Sequence, residues 1–183
     1  SVPAAERTKL TPGVNINALR ATQMGKAAEQ RGDLKAAQAA YRQAIEADPQ
    51  NPWTRFALAR IYLRDGQIRN ARALLDGLLK SQPSQPDALY TSTLLSVELG
   101  EWKAAEDTLS RIPAGQRSPD MNELANDIAL HKQTDIAIET ARRGQRPEAL
   151  ALLGRSATLA GKKPERLAVL ASAYVDVGAP EEG

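Results

Sequence analysis

Cysteine is absent from the 183 residues, which excludes disulfides and thiol chemistry while leaving the compartment open. Histidine occurs once, at His131, and no second histidine or cysteine completes a transition-metal shell around it. Aromatic residues make up only 4%, with a single phenylalanine, while alanine is plentiful. That balance favours closely packed helices over a sheet built on aromatic and β-branched side chains. No apolar run approaches the roughly 18 residues needed to span a bilayer. The opening residues, SVPAAERTKL, lack the apolar core of a signal peptide. The net charge of +2 is small and interspersed, without the clustered lysines and arginines that nucleic-acid binding requires. The closing residues, APEEG, stop abruptly, as expected either of a piece cut from a longer protein or of a small mature chain.

Catalytic patterns are missing too. There is no nucleophile elbow and no glycine-rich dinucleotide fingerprint. Gly161-Lys162-Lys163 lacks the preceding strand, the following Ser or Thr and the glycine spacing of a phosphate loop. Glu181 and Glu182 read as solvated tail. His131 has Asp127 and Asp135 four residues to either side on one helical face, which reads as a surface ion pair rather than an ion site. The chain is therefore expected not to be an enzyme, with no catalytic, cofactor-binding or metal-ligating residue and no cofactor.

What is present is a ruler. Ala18 to Asn51 reads as two amphipathic helices joined at Gly32-Asp33 and closed by Asp48-Pro49. Small residues (Gly25, Ala28, Ala37, Ala44) occupy the positions where two helices must touch, with Met24, Leu34, Tyr41 and Ile45 filling between them. Such a pair cannot bury its apolar face alone and needs stacked neighbours. Gly32, Gly66 and Gly100 are spaced by 34 residues, Gly144 follows after 44, and Gly178 after another 34. The second unit repeats the pattern with Leu58, Ala59, Tyr62, Gly66, Ala71, Leu75, Leu78 and Pro83, matching Gly25, Tyr41 and Pro49 in the first. This resembles the tetratricopeptide repeat family at nearly every position, except that Ala21 and Arg55 stand where that family usually has Trp. The resemblance implies an all-α solenoid, a right-handed superhelix of helix pairs.

The expected organisation follows the ruler. Residues 1–16, with Pro3 and Thr11-Pro12-Gly13, form a lead-in or remnant helix; repeats one to three occupy 18–51, 52–85 and 86–112 within residues 17–112. The third is irregular: Leu89, Ser92, Thr93 and Ser96 take its first packing positions, Ala105 and Leu109 its second, and Pro113 ends it early. A loop and extra helical segment fill 113–129, within a long helical run from Pro119 to Arg143 that is expected to interrupt the stacking and turn the superhelix. Residues 130–183 hold the fourth repeat (Ile136, Ala137, Thr140, Gly144, Ala149, Leu153) and the first helix of a fifth, with Leu167, Leu170, Ala171 and Tyr174. Either those three large side chains pack only on the fourth repeat, or the natural chain continues and covers them.

By the same resemblance, first helices line a concave groove, here Leu19, Thr22, Lys26 and Glu29, then Trp53, Phe56, Arg60 and Leu63, then Asp87, Tyr90, Leu94 and Val97. Trp53, Phe56, Arg60, Leu63, Tyr90, Leu94 and Lys26 are the candidate binding residues. Trp53 and Phe56 either cover the joint between repeats, or form a stacking platform for a peptide or sugar with Arg60 adding hydrogen bonds or cation–π contact. Beyond the generic repeat, Asn51-Pro52-Trp53, ARIYLRDGQ, LSRIP and Asn122-Glu123-Leu124, with the short third unit and long helix, resemble the periplasmic repeat region of bacterial cellulose synthase C subunits. That implies a non-catalytic periplasmic scaffold for exopolysaccharide export. It would link inner-membrane synthase components, its partners, to an outer-membrane pore whose barrel lies outside this chain. Two alternatives stand: a groove that guides the glucan chain directly, or a generic peptide-binding adaptor. An adaptor for acidic peptides needs a cationic groove, and Lys26 and Arg60 are opposed here by Glu29 and Asp87.

Overall fold

In the computed structural model, which describes residues 15–178, every regular element is a helix. Their order is α1 (Ile16–Gln30), α2 (Leu34–Ala47), α3 (Pro52–Arg64), α4 (Ile68–Ser81), α5 (Pro86–Glu98), α6 (Trp102–Ser110), a 3-10 turn (Ala114–Gln116), α7 (Pro119–Arg142), α8 (Arg146–Ala160) and α9 (Pro164–Gly178). The lead-in expected over residues 1–16 falls almost wholly outside the described residues. The chain divides into two compact units, Ser1–Thr91 and Ser92–Gly183, with the division inside α5.

Local chemistry sets where each helix starts and stops. Asn15, Asp33, Asn51 and Ser118 each accept a backbone N–H of the first turn, from Ala18, Ala36, Trp53 and Met121. They satisfy donors that helix geometry leaves unpaired. Pro52 and Pro119 follow two of these caps, in the first turn, where a missing N–H costs nothing. At the other end, Gly32, Gly66, Gly100 and Gly144 all take positive φ, from 71° to 81°. In each case the next residue donates back across the turn: Asp33 to Ala28 O, Gln67 to Tyr62 O, Glu101 to Ser96 O and Gln145 to Thr140 O, at 2.8–3.1 Å. This is one Schellman turn made four times. Gly178 differs: it is the last residue of α9 and lacks the positive φ.

In unit 1, α1 packs on α2, α2 on α3 and α3 on α4. Ala28, Ala37, Ala44, Ala59 and Ala71 are almost completely buried, as are Tyr41, Leu58, Leu75 and Leu78. The closest approach is at Gly25: a Cβ there would lie 2.6–2.8 Å from three ring atoms of Tyr41. The Tyr41 hydroxyl donates to the Glu29 carboxylate, and burial followed by that bond to an anion pushes its ionisation above the ordinary range. Arg55, in place of the usual Trp, donates from Nε to Pro49 O and from Nη1 to Leu74 O, both at 2.8 Å, and so ties two carbonyls of neighbouring segments together. Met24 corrects the sequence reading: it is 60% exposed rather than filling the helix joint, because Gly25 and Tyr41 already close that space.

In unit 2, α7 is 24 residues long, about 36 Å of helix, and serves two sets of neighbours. It packs on α6, on α8 and on α9. Leu130 and Ala137 of α7 join Ala149, Leu153 and Ala160 of α8 and Leu170, Ala173 and Val177 of α9 in one buried cluster. Three expected packing positions lie outside it: Leu167 and Tyr174 are 44% and 41% exposed and Ala171 is exposed too, because α9 turns Leu170, Ala173 and Val177 inward. Ile136 is likewise exposed and Ala137 buried beside it.

Gly25→Ala tests the closest contact. Alanine would gain about 1 kcal/mol of helix propensity, but overpacking against a buried, tethered ring costs roughly 1–3 kcal/mol. A net loss of about 1–2 kcal/mol is expected from urea denaturation; a variant more stable than the parent would show that the Tyr41 ring yields freely.

Candidate functional site

Two surfaces gather the side chains that could recognise a ligand, one in each unit.

The first is built on α3. Asn51 caps the helix through the Trp53 amide at 3.0 Å, and the 3.6-residue period then places Trp53, Phe56, Arg60 and Leu63 along one face. Trp53 is 44% exposed and meets Tyr90 edge-to-face, with ring centroids 5.8 Å apart and planes at 80°. This is the preferred geometry for an aromatic pair. The Arg60 guanidinium carbon stands 5.8 Å from the Phe56 ring centroid, within cation–π range. Phe56, Leu63 and Tyr90 are half-buried, and Arg60 and Lys26 are exposed. Glu29, beside Lys26 in the expected groove, is engaged by the Tyr41 hydroxyl and by Arg64 at 3.7 Å. Leu94 lies in unit 2 and is half-buried there.

The second surface was not foreseen. Trp102 of α6 and His131 of α7 stack face to face, with centroids 3.9 Å apart and planes within 5°. His131 is therefore not a surface ion pair: its ring is spent on Trp102, and Asp127 takes Arg166 of α9 as its partner instead. The Arg166 side chain is only 10% exposed; Nε donates to Asp127, and Nη2 donates at 3.0 Å both to the Glu123 carboxylate and to the Glu123 backbone oxygen. Lys163 also reaches Glu123. Hydrogen bonding from Lys163 and the positive charge of its ammonium hold the Glu123 carboxyl below the usual range, with Arg166 adding to the effect. The signal in the sequence was thin: His131 and Asp127 were visible as a spaced pair, but nothing local tied either to Trp102 or Arg166.

A profile of the tetratricopeptide repeat matches residues 28–95 and again 66–128, together more than half of the chain. The chain belongs to the tetratricopeptide repeat family. Its fold is accordingly the all-α repeat solenoid, with a long helix, α7, after the third helix pair. Over its full 183 residues the repeat chain is 79% identical to "Cellulose synthase operon protein C" of Pseudomonas fluorescens, of which it spans 14%. It is 37% identical over 97% of its length to the protein of the same name from Xanthomonas axonopodis pv. citri, spanning 12% of that relative. Among solved structures, a tetratricopeptide repeat protein from Parabacteroides merdae aligns over 96% of this chain and 64% of its own, with a TM-score of 0.61 at 21% identity. The MamA protein aligns over 90% and 85%, with a TM-score of 0.53 at 19% identity. These two likenesses concern the fold. Among the described residues, no helix is long and apolar enough to cross a membrane.

The stack carries a pH dependence whose sign is fixed. Burial lowers the His131 pKa below its ordinary value of about 6.5, against the opposing pull of Asp135 and Asp127. The folded repeat unit thus prefers neutral His131, and that preference stabilises it fully above the ordinary value and is lost as pH falls through the lowered one. Glu165 and Arg166 line the same cavity as the ring. Thermal melts between pH 7 and pH 5 are expected to show falling stability for the parent repeat chain and a flatter profile for His131→Phe, which keeps a ring on Trp102. Parallel profiles for the two would remove His131 as the cause.

Proposed function

We propose that the chain is a non-catalytic periplasmic scaffold of a bacterial cellulose synthesis and export complex. In this role it links inner-membrane synthase components to an outer-membrane pore through protein–protein contacts. The observation that carries the reading is the 79% identity, along the whole chain, to a segment of "Cellulose synthase operon protein C". Repeat folds bury their apolar faces between neighbours and leave extended surfaces for partners. The α3 face, with Trp53 exposed and Arg60 set over Phe56, has the aromatic and arginine content typical of interface centres. The boundaries that accompany this reading are repeats at 18–51, 52–85 and 86–112, an inserted segment at 113–129, and the fourth repeat with the first helix of a fifth within 130–183. The exposed indole of Trp53, set edge-to-face on Tyr90, favours a second reading in which this patch stacks on the glucan chain and guides it.

The scaffold role is tested in cellulose-producing cells carrying the full-length protein. A photo-crosslinking residue in place of Leu63 is expected to capture another protein of the synthase complex. Trp53→Glu is expected to lose that adduct and lower cellulose output several-fold, with an unchanged melting temperature of the purified chain. No adduct, together with normal output from Trp53→Glu, would rule the α3 face out. Placement is checked separately, in a full-length protein whose cysteines outside this cysteine-free stretch are replaced by serine. A single cysteine at exposed Ser84 should react with a membrane-impermeant maleimide once the outer membrane alone is permeabilised. Protection until the inner membrane is broken would place the chain elsewhere.

A further inference from the structure

The Trp102–His131 stack in unit 2 does something that the helix packing does not require: it lines an open cavity of about 240 Å³. Val169 adds an apolar wall, and Asp127, Glu165 and Arg166 supply polar groups. A second, shallower depression of about 420 Å³ begins at the same His131 and Val169 and continues between α7 and α9, adding Asp135, Ser172 and Asp176. His131 and Val169 line both, so the two depressions adjoin along the α7–α9 groove, with His131 where they meet and Trp102 in the first. A mostly apolar concavity with a few convergent polar groups is the usual build of a ligand site.

We propose that this groove is a binding subsite for a segment of β-linked glucan, with Trp102 and His131 as its aromatic surface. The assignment rests on the reading of the chain as part of a cellulose-making system; the groove chemistry narrows it further. A pyranose ring presents an apolar C–H face and an equatorial belt of hydroxyls, and so needs an aromatic surface flanked by hydrogen-bonding groups rather than a compensating charge. Arg166 is already neutralised by Asp127 and Glu123, so it offers no unpaired positive charge to an anionic ligand. Glu165, Asp135 and Asp176 supply carboxylate acceptors, and the Ser172 hydroxyl can accept or donate. The first depression has room for a sugar ring and the second is larger, so an extended oligosaccharide fits the groove better than a compact one does.

The chain contains only two tryptophans, Trp53 and Trp102, one in each unit, so their indole N–H resonances report separately. Titrating the 15N-labelled chain with cellopentaose is expected to move the Trp102 indole signal at millimolar sugar, whether or not the Trp53 signal moves as well. Trp102→Ala should weaken binding roughly tenfold. Because that change also removes the stack, the exposed substitutions Asp135→Asn and Asp176→Asn are measured beside it, and should weaken binding several-fold with an unaltered melting temperature. The proposal is overturned if the Trp102 signal is unmoved, if maltopentaose moves it equally, or if a Lys- and Arg-rich peptide moves it and cellopentaose does not. A silent Trp102 beside an intact photo-crosslink from the α3 face would sink the glucan subsite alone. A moving Trp102 with no crosslink would instead sink the scaffold reading.

Discussion

Close approach of paired helices is the constraint on which this structure depends. Gly25 against Tyr41 is its tightest instance: the ring occupies the volume that any side chain at position 25 would need. The same demand is met with alanine elsewhere, at Ala37, Ala44, Ala59, Ala71, Ala105 and Ala149, all fully buried. A chain with so few aromatics cannot fill wide gaps, so its helices must come near one another to exclude water. The repeated Schellman turn serves that end. By reversing the chain within two residues of a helix end, it returns each second helix to the first at short range. Tyr41 does not merely fill the space beside Gly25, because its hydroxyl is fixed on Glu29, which in turn meets Arg64. One close contact therefore orders polar groups on three helices.

The parts of the fold legible in the sequence are those fixed by local rules. Glycine spacing located four left-handed turns because no other residue takes that φ without strain. Pro119 marked the start of the long helix and residue 52 that of the second repeat, and the structure adds the caps, Ser118 and Asn51, that precede each proline. Pro113 marked the early end of the third repeat, and α6 stops at Ser110. What could not be read depends on which of several apolar residues a helix turns inward. Met24 and Ile136 have the right hydrophobicity for the core, but their neighbours Gly25 and Ala137 have the right size, and size decides where backbones approach closely. Likewise Leu170, Ala173 and Val177 outcompete Leu167 and Tyr174 on α9.

The candidate surfaces differ in how far the sequence revealed them, for a physical reason. The α3 face comes from one helix, and the 3.6-residue period places Trp53, Phe56 and Arg60 together without tertiary information. Only its pairing with Tyr90 needed the fold. The Trp102–His131 stack joins two helices across the irregular turn after Pro113, where the 34-residue ruler fails. Arg166 reaches Asp127 and Glu123 from some forty positions away. A signal of that range is carried by packing alone.

Arg166 also explains why the unit 2 groove has its character. A guanidinium this deeply buried would be costly unpaired, and its fork is matched by two carboxylates and a backbone oxygen. Those same carboxylates stay half exposed, so the burial cost falls mainly on one partner and the network keeps water within reach. With Asp127 drawn to Arg166, the His131 ring lies against Trp102, where burial outweighs the pull of Asp135 and Asp127 and favours its neutral form. A neutral stacked imidazole next to a neutralised arginine makes a wall that is polar in its hydrogen bonds but carries little net charge. The carboxylates of Glu165, Asp135 and Asp176 then set the groove's remaining charge as acceptors. That combination discriminates against anions, and the hydroxyl donors of the proposed glucan would meet those carboxylates as acceptors.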